Sequence, residues 1–433
     1  MINLLGLLLL LQVNLAKGKA ATASSEETGK GNLAAKAVDG DPGTRWCAAA
    51  GSFPQWWKVD LGAAKKVKTV RISWESEGIR HEIEGSSDDK AWTKFVPGGE
   101  VRWLRVTATA SKGGWASFFE VEAYEGDAPA AKPVDALKGV KAPPEFDVTL
   151  FGEPPAVNYP VCLAATPDGL LFVGVDENGS LGKVEGYGKV LRCADRDGDG
   201  KAEEVKVFAK MLHPRGLVWD DGSLWVLHPP FLTRYRDADG DGVADEEQVL
   251  LKGISTEKTV AQRGADHTTN AIRMGIDGWI YIAVGDFGYQ KCVDVDGQEH
   301  QLLGGGIARV RPDGRELEVY ARGLRNICDV AIDPFLNCYT RDNTNDGGGW
   351  DIRVSYVPQS AHMGYPSLFR NFADELFEPL AIYGGGSGTG ALYVDEPSLP
   401  APYSKTLLTA DWGRSLIFQH PLAAKGAGFA VEQ

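Results

Sequence analysis

The sequence predicts an all-β chain, a β-sandwich (jelly roll) followed by a five- to six-bladed β-propeller. Three observations carry this. Fifty-three Gly and 23 Pro against only 4 Met mark a chain rich in tight turns and poor in helix-bundle residues. Runs with an apolar/polar period of two recur through the first 125 residues. Beyond a Pro/Ala-rich stretch, one strand–turn–strand unit then recurs four times at nearly constant spacing.

Taken in order, the chain opens on an apolar run from Leu4 to Val13 with five consecutive Leu. A bilayer span needs about 20 residues, so this run is too short to be one. It fits a secretory leader over residues 1–18, with small residues between Ala16 and Ala20 as cleavage positions; the alternative is a buried strand. The expected location is therefore outside the cytoplasm: secreted, periplasmic or on the cell surface. No later segment is long and apolar enough for a membrane span. Forty-five Lys and Arg against 59 Asp and Glu leave a net charge of −14, which argues against a nucleic-acid partner. Six Cys permit disulfides in an exported chain; Cys328 and Cys338 could face each other across neighbouring strands, or stay as buried thiols.

Residues 19–125 form the first unit. Trp56–Leu61, Val67–Trp74 and Val101–Thr107 alternate as half-buried strands do, and a unit of this size built from them is most economically a sandwich. Residues 126–144, with Pro129, Pro133, Pro143 and Pro144, read as a linker. Residues 145–433 hold the repeat. Its copies are Cys162–Val173, Gly216–Val226, Ile272–Ile282 and a weaker Val330–Tyr339. Their turn aspartates, Asp168, Asp221, Asp277 and Asp333, lie 53, 56 and 56 residues apart. Each copy is a hairpin signature at about one blade length. About five such periods fit, and a sixth blade interrupted at residue 433 is the expectation.

Between Lys36 and Trp46, Asp39 and Asp41 stand two residues apart in a Gly-containing loop. Hard cations take converging oxygens from such loops, although an Asx turn has the same spacing. Residues 19–125 further resemble a discoidin (coagulation-factor type C) domain through Ala23-Ser-Ser, Ala37–Trp46, Gln55–Gly62 and Trp115–Tyr124. The resemblance implies a structural calcium held by the Lys36 carbonyl, Asp39, Asp41, Thr44 and Glu120. It also implies a ligand, commonly a carbohydrate, in some relatives a lipid headgroup or a protein.

Two further loops are acidic. Asp195, Asp197, Asp199 and Glu203 match Asp237, Asp239, Asp241 and Asp245 as positions 1, 3, 5 and 9 of an EF-hand-type calcium loop, with Gly200 and Gly242 at position 6. Position 12 is Lys206 or Gln248 rather than Glu, and strands flank both. They read as calcium-stabilised loops at blade edges, the alternative being solvated turns.

The segment Ala265-Asp266-His267-Thr-Thr-Asn270 precedes a repeat strand, and Asp286 follows the paired strand of the same hairpin. Folding at Asp277-Gly278 brings Asp286 back beside His267. A carboxylate beside an imidazole fixes its tautomer, as a general base requires. This hairpin resembles the active-site segment of the soluble quinoprotein glucose/sorbosone dehydrogenases, six-bladed propellers that use pyrroloquinoline quinone (PQQ) and calcium. Gly323-Leu-Arg325-Asn326, and more loosely Met363–Pro366 and Leu408–Arg414, are similar too. Nearest are planctomycete-type "membrane-bound dehydrogenase" propellers, often joined to haem domains. The resemblance implies His267 as the base, Asp286 orienting it and Asp266 lining the pocket. It implies Arg325 and Asn326 on the quinone, Asp342 and Asn343 near a cofactor calcium, and a haem-protein electron acceptor. Arg325, Arg322 and Arg353 are the cations on offer to the three PQQ carboxylates.

Three functions follow as expectations. The first is a secreted PQQ- and calcium-dependent sugar or polyol dehydrogenase carrying a carbohydrate-binding module. The second is a non-catalytic, glycan-binding adhesive protein. The third is a calcium-dependent lactonase-type hydrolase on the propeller.

Overall fold

The computed structural model describes residues 13–431, apart from 76–77, 112–114, 130–136, 180–181, 183, 266, 344–350, 367–371 and 376. The chain forms two compact units, residues 1–138 and 139–433.

The first unit is an antiparallel sandwich. One sheet runs Ala20–Ala23, Gln55–Val67, Gly99–Ala110, Arg80–Ser86, Thr93–Lys94; the other runs Trp46–Cys47, Ser117–Tyr124, Thr69–Trp74. The period-two runs face the core as expected: Trp57, Val59 and Leu61 are buried, as are Leu104, Val106 and Ala108. Phe118 sits between Trp46 at 4.9 Å and Trp57 at 5.4 Å. Burying a side chain like Phe118 contributes about 2–3 kcal/mol. The expected continuous strand Val67–Trp74 is broken at Lys68, where the chain leaves one sheet for the other. Residues 14–16 also pack on this unit. The Asn14 carboxamide accepts the Ala16 and Ala123 N–H groups, Leu15 N–H bonds the Ala123 carbonyl, and Ala16 is fully buried.

The second unit is a propeller. Its blades are successive antiparallel sheets. Blade one is Pro160–Ala165, Leu170–Asp176, Gly188–Ala194, Glu204–Lys210. Blade two is Gly216–Asp220, Ser223–His228, Phe231–Arg236, Glu246–Lys252. Blade three is Thr269–Met274, Ile280–Val284, Gly305–Val310, Glu318–Leu324. Blade four is Ala331–Ile332, Cys338–Asn343, Ile352–Val357, Ala381–Ile382. A fifth sheet holds Gly388–Val394, Thr406–Asp411 and Leu416–His420, followed by the ribbon Leu422–Lys425 with Gly428–Val431. The hairpin Tyr289–Val293 with Glu299–Leu302 is inserted in blade three but extends the outer edge of blade two through Lys252 and Val293.

The four hairpins recognised in sequence are the first two strands of blades one to four. Asp221 and Gly222 both take positive φ, 41° and 72°, the conformation a two-residue turn needs to match strand twist. Inner strands of adjacent blades abut closely: a Cβ on Gly216 would fall 2.6 Å from the Ile272 nitrogen. No disulfide joins any of the six cysteines.

Candidate functional site

Strand direction sorts residues between the two ends of the propeller. In an antiparallel blade the first and third strands start at the end where the second and fourth finish. His213 and His267 precede first strands, Asp176, Asn343 and Asp411 finish second strands, and Asp286 lies two residues past another. Arg325 and Asn326 follow a fourth strand. All of these share one end. The two acidic loops connect third to fourth strands and lie at the other.

His267 Nδ1 lies 2.5 Å from Asp286 Oδ1. The local chain forces this pairing. His267 adopts φ +59°, and Gly285 packs against its backbone so tightly that a Cβ would meet the His267 and Thr268 carbonyl oxygens at 2.5 Å. Gly285 N–H bonds the Thr268 carbonyl, Phe287 N–H bonds the His267 carbonyl, and the Phe287 ring stacks on the imidazole at 5.3 Å. The Thr268 hydroxyl ties back to the Ala265 carbonyl at 2.7 Å. Both side chains of the dyad keep partial solvent contact, 21% and 14%. Because Asp286 takes Nδ1, a proton accepted by His267 goes to Nε2. Asp266 lies outside the described residues.

Arg325 Nη1 donates to the Asn343 side-chain oxygen Oδ1. The Asn270 amide nitrogen donates to Asn326 at 3.2 Å and to the Ile327 carbonyl at 2.8 Å. Asp342 is fully buried, and both its oxygens accept from Arg353 at 2.9 and 3.1 Å. That bidentate pair engages both carboxylate oxygens of Asp342, the residue expected near a cofactor calcium. It also removes Arg353 from the cations offered to a quinone, and Arg322 lies on an outer strand. Of the three expected cations, Arg325 follows a fourth strand at the His267 end, and Arg353 reaches the same end already paired with Asp342. The set fits a quinone's oxygens through Arg325 and Asn326 and falls short of three carboxylates.

In the sandwich, Thr44 Oγ1 bonds both Asp39 oxygens at 3.0 and 2.8 Å and reaches the Lys36 and Asp41 carbonyls at 3.3 and 3.2 Å. Glu120 Oε1 accepts the Gly40 N–H at 2.8 Å, while its Oε2 is buried and has no hydrogen-bond partner among the described residues. Burial, with Asp39 adding to it, pushes the Glu120 carboxyl up to about 7. An orphaned, buried carboxylate oxygen beside converging oxygens suits a divalent cation, which Asp39, Glu120, Thr44 and the Lys36 and Asp41 carbonyls would hold. Lys36 Nζ supplies a positive charge 3.3 Å from Asp39.

The acidic loops repeat one geometry. Asp195 accepts the Gly198 and Gly200 N–H groups, and Asp237 those of Gly240 and Gly242. Carboxylate oxygens of Asp195, Asp197, Asp199 and Glu203 come within 4.8 Å of one another, as do those of Asp237, Asp239 and Asp245. Asp241 stands apart from this second cluster: its carboxylate caps the Val243 N–H and its carbonyl accepts from Lys206.

Sequence reasoning missed three ionic groups in the propeller. Asp176, fully buried, accepts from His213 and Arg215. Arg273 pairs with Asp329 across blades three and four at 2.6 and 3.1 Å. Arg341 pairs with Asp411 at 2.9 Å, both fully buried. The segment His213-Pro-Arg215-Gly216 left a signal, standing just before a repeat strand as His267 does, with Arg215 where the resembled dehydrogenases have a pocket residue of another type.

This is a two-unit β protein with a His–Asp dyad at one end of a propeller. The chain belongs to the family described as "Domain of unknown function (DUF7133)", whose model matches residues 132–433. Residues 20–121 match the F5/8 type C domain, the discoidin fold of the first unit. The chain is similar to chitosan-binding module 1 of a chitosanase/glucanase from Paenibacillus sp. IK-5, with 33% identity over 26% of this chain and 98% of that one, TM-score 0.24. A Clostridium perfringens module in complex with GlcNAc-α-1,4-galactose is 21% identical over 26% and 93%, TM-score 0.24. The PQQ-bound aldose sugar dehydrogenase of Streptomyces coelicolor is 17% identical over 64% and 80%, TM-score 0.46. No curated protein matches the chain. No helix among the described residues is long and apolar enough to cross a membrane.

Proposed function

We propose that the propeller oxidises a sugar or polyol in the manner of a quinoprotein dehydrogenase, while the sandwich holds a carbohydrate. The observation that carries the reading is the 2.5 Å contact of His267 Nδ1 with Asp286, partly open to solvent at one end of the propeller. In this role His267 takes a hydroxyl proton at Nε2, and Asp286 holds the ring and stabilises the imidazolium that forms. Phe287 shields one ring face from water. Arg325 and Asn326 bind oxygens of the group that accepts the electrons. PQQ, the cofactor proposed, would supply hydride acceptance there. Calcium belongs to the sandwich site and, in this reading, to the acidic loops at the far end. The carbohydrate-binding role of the sandwich draws on its likeness to the Paenibacillus module. The chain would work outside the cytoplasm, passing electrons to a haem protein.

Calorimetric titration of the whole chain with PQQ in millimolar calcium tests this. Saturable binding that weakens in Arg325→Ala supports the dehydrogenase. No binding, with the fold intact, refutes it; lactone hydrolysis or glycan adhesion would then be assayed next.

A further inference from the structure

We propose that His213 is a second hydroxyl-binding residue at the His267 end of the propeller, where it positions a neutral sugar or polyol. This rests on the sugar-oxidising reading above. His213 is 1% exposed, and its Nδ1 lies 3.2 Å from Asp176 Oδ2. Arg215 Nη2 donates to the same oxygen at 3.3 Å. A buried histidine with a purely structural role has both nitrogens satisfied. His213 does not: its Nε2 is buried with no hydrogen-bond partner among the described residues, and so is Arg215 Nε.

The chemistry of the two open atoms selects the ligand. Nδ1–H facing Asp176 leaves a lone pair on Nε2, an acceptor, whereas Arg215 Nε–H can only donate. Arg215 sets its positive charge against the Asp176 carboxylate. A hydroxyl both donates and accepts, and matches this pair without adding charge.

The fold sets the cluster at the same end of the propeller as His267. Both histidines precede the first strand of adjacent blades, both have positive φ (52° and 59°), and both present Nδ1 to an aspartate. Such φ values are sparse for histidine and gather at functional sites. Gly216 abuts Ile272, three and five residues along the strands from the two histidines, so both side chains sit at one end of neighbouring inner strands. His213 is assigned to binding and positioning, and the proton goes to His267.

The test is imidazole ¹⁵N spectroscopy of the whole chain, titrated with D-glucose and with sorbitol. The proposal expects the His213 Nε2 signal to move together with that of His267 at one saturation point. His213→Asn, which tolerates positive φ, should weaken glucose binding by about tenfold with the melting temperature little changed. If that variant fails to fold, the wild-type spectra still decide. A still His213 signal beside a moving His267 signal overturns this proposal and leaves the sugar reading standing. Silence at both overturns both. Response to D-gluconate but to neither neutral ligand overturns the hydroxyl assignment.

Discussion

The backbone N–H of Ala244 donates to the Phe208 carbonyl at 2.9 Å, fastening the acidic loop of blade two to the outer strand of blade one. Ala202, the matching position of the other loop, donates in the same way to Phe151 at 2.8 Å. The repeat extends to the loop glycines, with Gly200 packed against Thr149 and Gly242 against Lys206. Each acidic loop is thus a clasp on a neighbouring segment of the chain.

The clasp depends on Asp237, which fixes the Gly240 and Gly242 N–H groups. Asp237→Ala should cost about 1–2 kcal/mol through those lost hydrogen bonds. Denaturant midpoints of variant and wild type, each with calcium and with chelator, measure the loss and any share of it that calcium restores.

Calcium should raise the melting temperature of the sandwich, and Glu120→Gln should blunt the response, since the orphaned Oε2 is the oxygen the ion would satisfy. Thermal melts in millimolar calcium and in EDTA check this. Equal melts would remove the metal from the site.

His267→Asn and Asp286→Asn should abolish sugar oxidation while leaving the melting temperature nearly unchanged. Both side chains keep partial solvent contact, and Asn accepts the positive φ at residue 267. Unfolding of either variant would mark the dyad as structural.

Asp411→Ala should destabilise the propeller by about 3–5 kcal/mol, because Arg341, fully buried and 4.7 Å over the Phe418 ring, would keep its charge without its carboxylate. Chemical unfolding gives the value directly.

Burial, reinforced by the nearby His213, depresses His228 to about 4. The unfolded chain titrates this residue near 6.5 and so takes up the proton first as acid is added. Its contribution is fully present above about pH 6.5 and is lost as pH falls toward 4, up to about 3 kcal/mol. His228→Phe should flatten that part of the profile, read as the difference in unfolding midpoint between pH 7 and pH 5.

Local chemistry made most of the fold legible. Trp57, Val59 and Leu61 alternate because one face of a strand is dry, and Asp221-Gly222 turns because Gly tolerates positive φ. The pairing of His267 with Asp286 was legible too, since a single hairpin turn joins them. The break at Lys68 was not, because both flanking strands keep the same period while belonging to different sheets. Nor was the place of Ala16, whose apolar neighbours upstream look like a leader, yet which packs in the sandwich core.

The sequence by itself determined the all-β character, the repeat and the dyad, because each depends on residues close along the chain. Only the tertiary structure decided that Asp342 belongs to Arg353, that His213 rests on Asp176 with Nε2 open, and that Asp241 stands apart from its cluster. Those outcomes are competitions for charge and hydrogen bonds among residues that meet only when strands pair and blades pack. Spacing in the sequence carries no record of which partner wins.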